Sequence, residues 1–114
     1  MTSIKNKVQL IGNLGQTPEI IIFENGNKLA NLRIATNEKY KTMKGEVISD
    51  TQWHNLIAWG KTADIIERYV SKGQEIAIEG KLIHESFEGK DGLKRYASKI
   101  QINELVLLGT KKEN

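Results

Sequence analysis

No cysteine occurs among the 114 residues, which removes disulfides, cysteine zinc knuckles and thiol chemistry from consideration. Only His54 and His84 remain as soft ligands, so neither a metal nor any other cofactor is expected. No apolar run approaches the length that spans a bilayer. Residues 1–15 do not have the pattern of a signal peptide, because Lys5 and Lys7 lead into a polar-interrupted, glycine-punctuated segment. The expectation is a soluble, cytoplasmic protein with no membrane partner. No pair of carboxylates is set out for acid–base work, and neither histidine has a serine, aspartate or cysteine pattern around it that suggests a triad. An enzyme is therefore not expected. There is no internal repeat and no low-complexity linker. The length fits one domain, which we bound at residues 1–109, followed by a short frayed terminus at 110–114.

What is present organises around Thr51 to Gly60, with Trp53 and Trp59, the only two tryptophans. Read as a strand, odd positions put Thr51, Trp53, Asn55, Ile57 and Trp59 on one face. Even positions put Gln52, His54, Leu56 and Ala58 on the other, which looks like the inward side. The two indoles are then about 20 Å apart on a half-wet face, a platform on which flat ligands could stack.

The rest of the chain reads as further strands and one helix. Asn6 to Leu14 alternates, with Val8 and Leu10 opposite Lys7, Gln9 and Ile11, and ends at Gly12 to Gly15 and the sole proline, Pro18. Glu19 to Glu24 is a short β-branched run closed by Glu24-Asn25-Gly26-Asn27, a strong hairpin turn. Lys28 to Asn37 alternates Ala30, Leu32, Ile34 and Thr36 with Asn31, Arg33, Ala35 and Asn37. Glu38 to Ser49 is polar and reads as a loop or the tip of an extended hairpin. Thr62 to Lys72 changes to helical spacing, with Thr62 as N-cap and Lys72-Gly73 as the stop. Gln74 to Glu88 returns to strand, with Ile76, Ile78, Gly80 and Leu82 opposite Phe87. Gly89 to Gly92 is a turn, and Leu93 to Leu108 is the last strand. Setting aside the short run in the first hairpin, this is three strands, a helix and two strands. That order is the five-stranded Greek-key oligonucleotide/oligosaccharide-binding (OB) barrel, all-β with one helix between strands 3 and 4.

Two phosphate motifs fail on inspection. Gly60-Lys61-Thr62 imitates the end of a P-loop, but the glycine required five residues earlier is Asn55. Gly12 to Gly15 resembles a KH-type clamp, yet a strand precedes it where a helix is required. The charge is more informative. The net value is only +3, but between Lys28 and Lys44 the chain carries Lys28, Arg33, Lys39, Lys41 and Lys44 against the single acid Glu38. Lysines alone read as a solvated surface; beside exposed aromatics they point to a polyanion. Trp53, Trp59, Tyr40 and Phe87 fall outside the inward pattern or within the basic segment, while Phe23, Tyr69 and Tyr96 fit structural positions better. Aromatics interleaved with cations on a barrel sheet suit single-stranded nucleic acid, whose unpaired bases are free to stack. His54, on the even face, reads as a packing or interface group.

The residues also carry a family resemblance. Asn6 to Gly15 with Pro18-Glu19, Ala35-Thr36, Trp53-His54, Gly60-Lys61 with Ala63, Lys72-Gly73, Ile78-Glu79-Gly80 with Leu82, and Arg95-Tyr96 closely resemble the bacterial single-stranded DNA-binding protein family over about residues 4–109. The resemblance implies sequence-independent binding and protection of single-stranded DNA in replication, recombination or repair. It places Tyr40, Trp53, Trp59 and Phe87 at base-stacking positions, and Lys7, Lys61, Lys72 and Arg95 at phosphate-meeting ones; the basic segment adds Lys41 and Lys44. It also implies a homotetramer with His54 at a subunit interface. His84-Glu85-Ser86 departs from the family, whose members can be basic just before the last aromatic. Lys111 and Lys112 outweigh Glu113 where the family carries an acidic, apolar tip, so tail-reading protein partners are not expected. A primosomal adaptor barrel acting mainly through protein contacts is the alternative from a different class, and an RNA-binding barrel is a third.

Overall fold

The computed structural model describes residues 4–109; the terminus assigned to 110–114 lies outside the described residues. A 3-10 turn at Ile4–Asn6 leads into β1 (Val8–Leu14), β2 (Glu19–Ile22), β3 (Lys28–Lys41) and β4 (Val47–Trp59). The helix α1 (Gly60–Tyr69) follows, then β5 (Glu75–Glu88) and β6 (Lys94–Leu107). The strands pair in the order β1-β5-β6-β4-β3-β2. β1 also meets β3 at Asn13–Ala35 and Leu14–Ile34, so five strands close on themselves and β2 stays as an edge on β3. Every pairing is antiparallel except β4 with β6. A closed five-stranded barrel with its helix between the third and fourth barrel strands is the OB-fold.

The alternation seen in the sequence builds the interior. Ala30, Leu32 and Ile34 of β3 meet Leu56 and Ala58 of β4, Ile76 and Ile78 of β5, and Ile100 and Ile102 of β6. Ala63, Ile66 and Val70 close the barrel over them. Each large aliphatic fully buried this way contributes about 1.5–3 kcal/mol relative to exposure. β6 keeps even residues inward only as far as Ile102. A bulge opposite Glu79 and Gly80 shifts the register, after which Leu105 packs on the core.

One expectation is corrected and one choice is decided. The helix begins at Gly60, not after a Thr62 cap, and its N-cap position, Trp59, makes no side-chain cap bond. Gly60 adopts φ +59° and turns strand directly into helix. The helix ends at Tyr69, with the Val70 N–H donating to the Ile66 carbonyl. Of the two readings of Glu38 to Ser49, the extended hairpin holds: the β3–β4 ladder runs out to Lys41–Val47, leaving only a tip between them.

Lys28 fastens β3 to the helix, its ammonium 2.7 Å from both Asp64 Oδ1 and Glu67 Oε1. Its hydrogen bonds, first to Asp64 and then to Glu67, raise the Lys28 pKa. The hydrogen bond from Lys28 holds the Asp64 carboxyl below the usual aspartate range, outweighing desolvation. A carboxyl depressed in the folded state stabilises above its unfolded pKa, and that stabilisation disappears as pH falls through the folded value. The raised Lys28 contributes in full at neutral pH and loses its part only above the ordinary lysine range. Asp64→Asn should therefore melt earlier than the parent at neutral pH and converge with it below about pH 4. Thermal melts across that range check this; a constant gap would mean that the pair does not form.

Candidate nucleic-acid interface

The long β3–β4 ribbon carries the sequence's platform. Its register pairs Leu29 with Trp59, Asn31 with Ile57, Arg33 with Asn55, Ala35 with Trp53, Asn37 with Thr51, Lys39 with Ser49 and Lys41 with Val47. The intervening pairs Ala30–Ala58 and Leu32–Leu56 face the core, so the odd set faces outward. Trp53 is 48% and Trp59 42% exposed. Ile57, on the same face, is buried instead, because β6 joins β4 in parallel there and pairs Gln101 with it. Around Ile57 a groove of about 220 Å³ is walled by Gln16, Glu19, Asn31, Arg33, Asn55 and Lys99.

Each indole is held by a neighbour. The Arg33 guanidinium lies 4.8 Å from the Trp53 ring centroid, and the Gly15 backbone lies so close that a Cβ there would come within 2.7 Å of Cη2. Phe23, delivered by the turn after β2, stacks on Trp59 with centroids 5.9 Å apart and planes at 27°. Sequence reasoning assigned neither Arg33 nor Phe23 to the site. Alternation alone puts Arg33 outward, but only the cross-strand register brings it to Trp53. Phe23 follows a short apolar run and reads as packing; in fact it is half-exposed, as is Tyr69, while Tyr96 is more exposed still.

The structure separates other candidates. Tyr40 pairs with Ile48, and Glu38 with Asp50, on the ribbon face opposite the tryptophans. Lys39 and Lys41 share the tryptophan face and make no ion pair among the described residues, and Lys44 sits at the tip. Phe87 is exposed on the second ribbon, β5–β6, directly opposite Arg95. Arg95 Nη2 is held by Asp91 at 2.6 Å, and Lys99 Nζ by Glu85 at 3.3 Å. Lys7 is 2.6 Å from Glu79, whose pKa this hydrogen bond lowers against desolvation. Lys61 and Lys72 are exposed on and just beyond the helix, off both ribbons. His54 is half-buried, with Nε2 3.0 Å from Thr36 Oγ1.

Flat rings and cations on one ribbon face, with amides in the groove beside them, can hold a polyanion carrying stackable bases. Among the described residues no three His, Asp or Glu side chains gather as a metal site, and no helix is long and apolar enough to cross a membrane.

Known proteins agree with this geometry. The chain is 38% identical over 109 residues to the single-stranded DNA-binding protein of Neisseria meningitidis serogroup B, covering 96% of this chain and 63% of that one. It is 41% identical over 107 residues to single-stranded DNA-binding protein 1 of Chlorobaculum tepidum, covering 93% and 66%. It thus spans just under two thirds of the length of those relatives. Among solved structures, a Plasmodium falciparum SSB in complex with ssDNA superposes with a TM-score of 0.85 at 28% identity, covering 96% of this chain and 98% of that one. A deletion mutant of the Thermus aquaticus single-stranded DNA binding protein gives 0.79 at 25%, covering 91% and 50%. The sequence profile of the single-strand binding protein family matches residues 5–108. The chain belongs to the single-strand binding protein family.

Proposed function

We propose that this chain binds single-stranded DNA without sequence preference and protects it during replication, recombination or repair. It acts in the cytoplasm as a binding protein with no catalytic step. The observation that carries this is one outward face joining Trp53 and Trp59 to Arg33, Lys39 and Lys41. Stacking tolerates any base, and the cations meet phosphate. A duplex hides its base faces, and the one α-helix among the described residues carries only Arg68 among its interior cations for a groove.

Titration of tryptophan fluorescence tests the reading. Unstructured DNA should quench it and duplex barely, with an RNA arm separating the two sugars. With an oligonucleotide short enough for one subunit, phosphate contacts from Arg33, Lys39 and Lys41 give a log–log salt slope of about −2, at about −0.7 per contact on a single strand. A flat salt response, or equal quenching by duplex, would overturn it.

We also propose a homotetramer with His54 near a subunit contact. The outward face of β1, β5 and β6 aligns Ile11, Ala77 and Val106, of which Ile11 and Val106 are 59% and 57% exposed. β1 pairs with β3 only at Asn13 and Leu14, leaving its edge from Val8 to Ile11 open among the described residues. An apolar row beside an open strand edge fits a symmetric interface. Light scattering should give four times the chain mass, and Ile11→Lys should lower it; a parent protein that is monomeric would sink the assembly.

A further inference from the structure

The two ribbons differ in whether their cations are free. On the β3–β4 tryptophan face Lys39 and Lys41 have no ion-pair partner among the described residues, Arg33 lies on Trp53, and the acids Glu38 and Asp50 are turned to the other side. The outward face of β5–β6 instead carries its acids among its cations. Phe87 and Arg95 stand opposite one another, flanked by Glu85–Ala97 and Ile83–Lys99. Asp91 draws the Arg95 guanidinium over the hairpin turn, against the Gly89 backbone. Glu85 holds Lys99, and Lys99 also walls the groove beside Arg33 and Asn55. Lys99 therefore stands where a strand leaving the tryptophan face would turn towards Phe87.

Resting on the DNA-binding reading above, we propose that Glu85 and Asp91 are affinity-determining residues, which hold Lys99 and Arg95 from phosphate and so make the Phe87 ribbon a secondary, self-quenched segment of the binding track. A carboxylate and a phosphate oxygen compete for the same donors, and a guanidinium satisfied by Asp91 must release it before meeting a backbone phosphate. Exposed ion pairs are weak and screened by salt, so the competition is close and tunable. The primary segment runs past Trp59, the groove, Trp53 and Arg33 to Lys39 and Lys41. The second is engaged only when DNA displaces these two carboxylates.

The test uses Glu85→Gln, Asp91→Asn and the double substitution, all on exposed positions, in the full chain. Parent binding to oligothymidylate is measured first, since failure there refutes the DNA-binding reading itself. Given binding, each single substitution should tighten it roughly 1.5- to 5-fold at low salt, the range of an exposed pair. The double variant should steepen the salt slope by up to about 1.4, at about 0.7 per released cation. Phe87→Ala should cost more in the double variant than in the parent, because only there is the ring fully in the track; this coupling is a readout that altered net charge alone does not give. Unchanged or weaker binding in the double variant, or an equal Phe87→Ala effect in both backgrounds, would overturn the proposal.

Discussion

Trp53→Ala and Trp59→Ala should each weaken binding of single-stranded DNA by about 1–3 kcal/mol, the range for one base on one ring. The two positions should not be equal. Trp59 is backed by Phe23, 5.9 Å away, so alanine at 59 leaves a second aromatic at that end of the face and falls towards the low end. Among the described residues no second ring stacks on Trp53, which instead lies by the Arg33 guanidinium and the Gly15 backbone, so alanine at 53 falls towards the high end. Losing the indole also frees Arg33, whose charge still reaches phosphate, so Trp53→Ala should change affinity more than salt slope. Trp59→Ala combined with Phe23→Ala should bring that end to the full cost. All three proteins should keep the parent melting temperature within a few degrees, since neither indole is in the core. Normal affinity in both folded single variants would remove stacking from the mechanism.

The uneven roles of these rings mark where sequence reasoning ran out. Period-two alternation through Ala30 to Ile34, Leu56 to Ala58 and Ile76 to Ile78 is enough to place the core, because a strand with one buried face has a single workable orientation. The helix was legible from its change of period, though not its start: a glycine at positive φ can begin a helix without a capping side chain. Which face Tyr40 shares was not legible. Residues 38–49 are too polar to look like strand, yet once β3 and β4 are zipped at their apolar end the ladder continues outward, and the alternation carries Tyr40 to the side away from Trp53. Ion pairs such as Asp91–Arg95 depend on turn geometry, and Glu85–Lys99 on cross-strand register. Neither is contained in a count of charges.

Gly80→Ala should be the most destabilising of the single-methyl substitutions, and Gly12→Ala should follow it. A glycine in a strand usually gains about 0.4–1 kcal/mol from alanine if the backbone conformation allows it, through the unfolded state. Here the sign reverses. A Cβ on Gly80 would run into the Gln101 carbonyl, with its carbon at 2.8 Å and Ile102 Cα at 3.2 Å. A Cβ on Gly12 would strike the Ala35 carbonyl oxygen. Both obstacles are main chain in paired strands, so they cannot rotate away, and forcing a methyl into such a contact costs about 1–3 kcal/mol or more. Gly80 also sits at the bulge that re-aims β6 between Ile102 and Leu105, so its strain spreads along the β5–β6 ribbon that bears Phe87. Gly15→Ala is the informative contrast, because the nearest atoms its methyl meets are those of the Trp53 ring. A side chain can swing aside, so stability should change little while the stacking plate is displaced and DNA binding falls. Urea midpoints and DNA titrations on the three variants separate the two effects. A Gly80→Ala protein as stable as the parent would mean that β5 and β6 do not approach this closely.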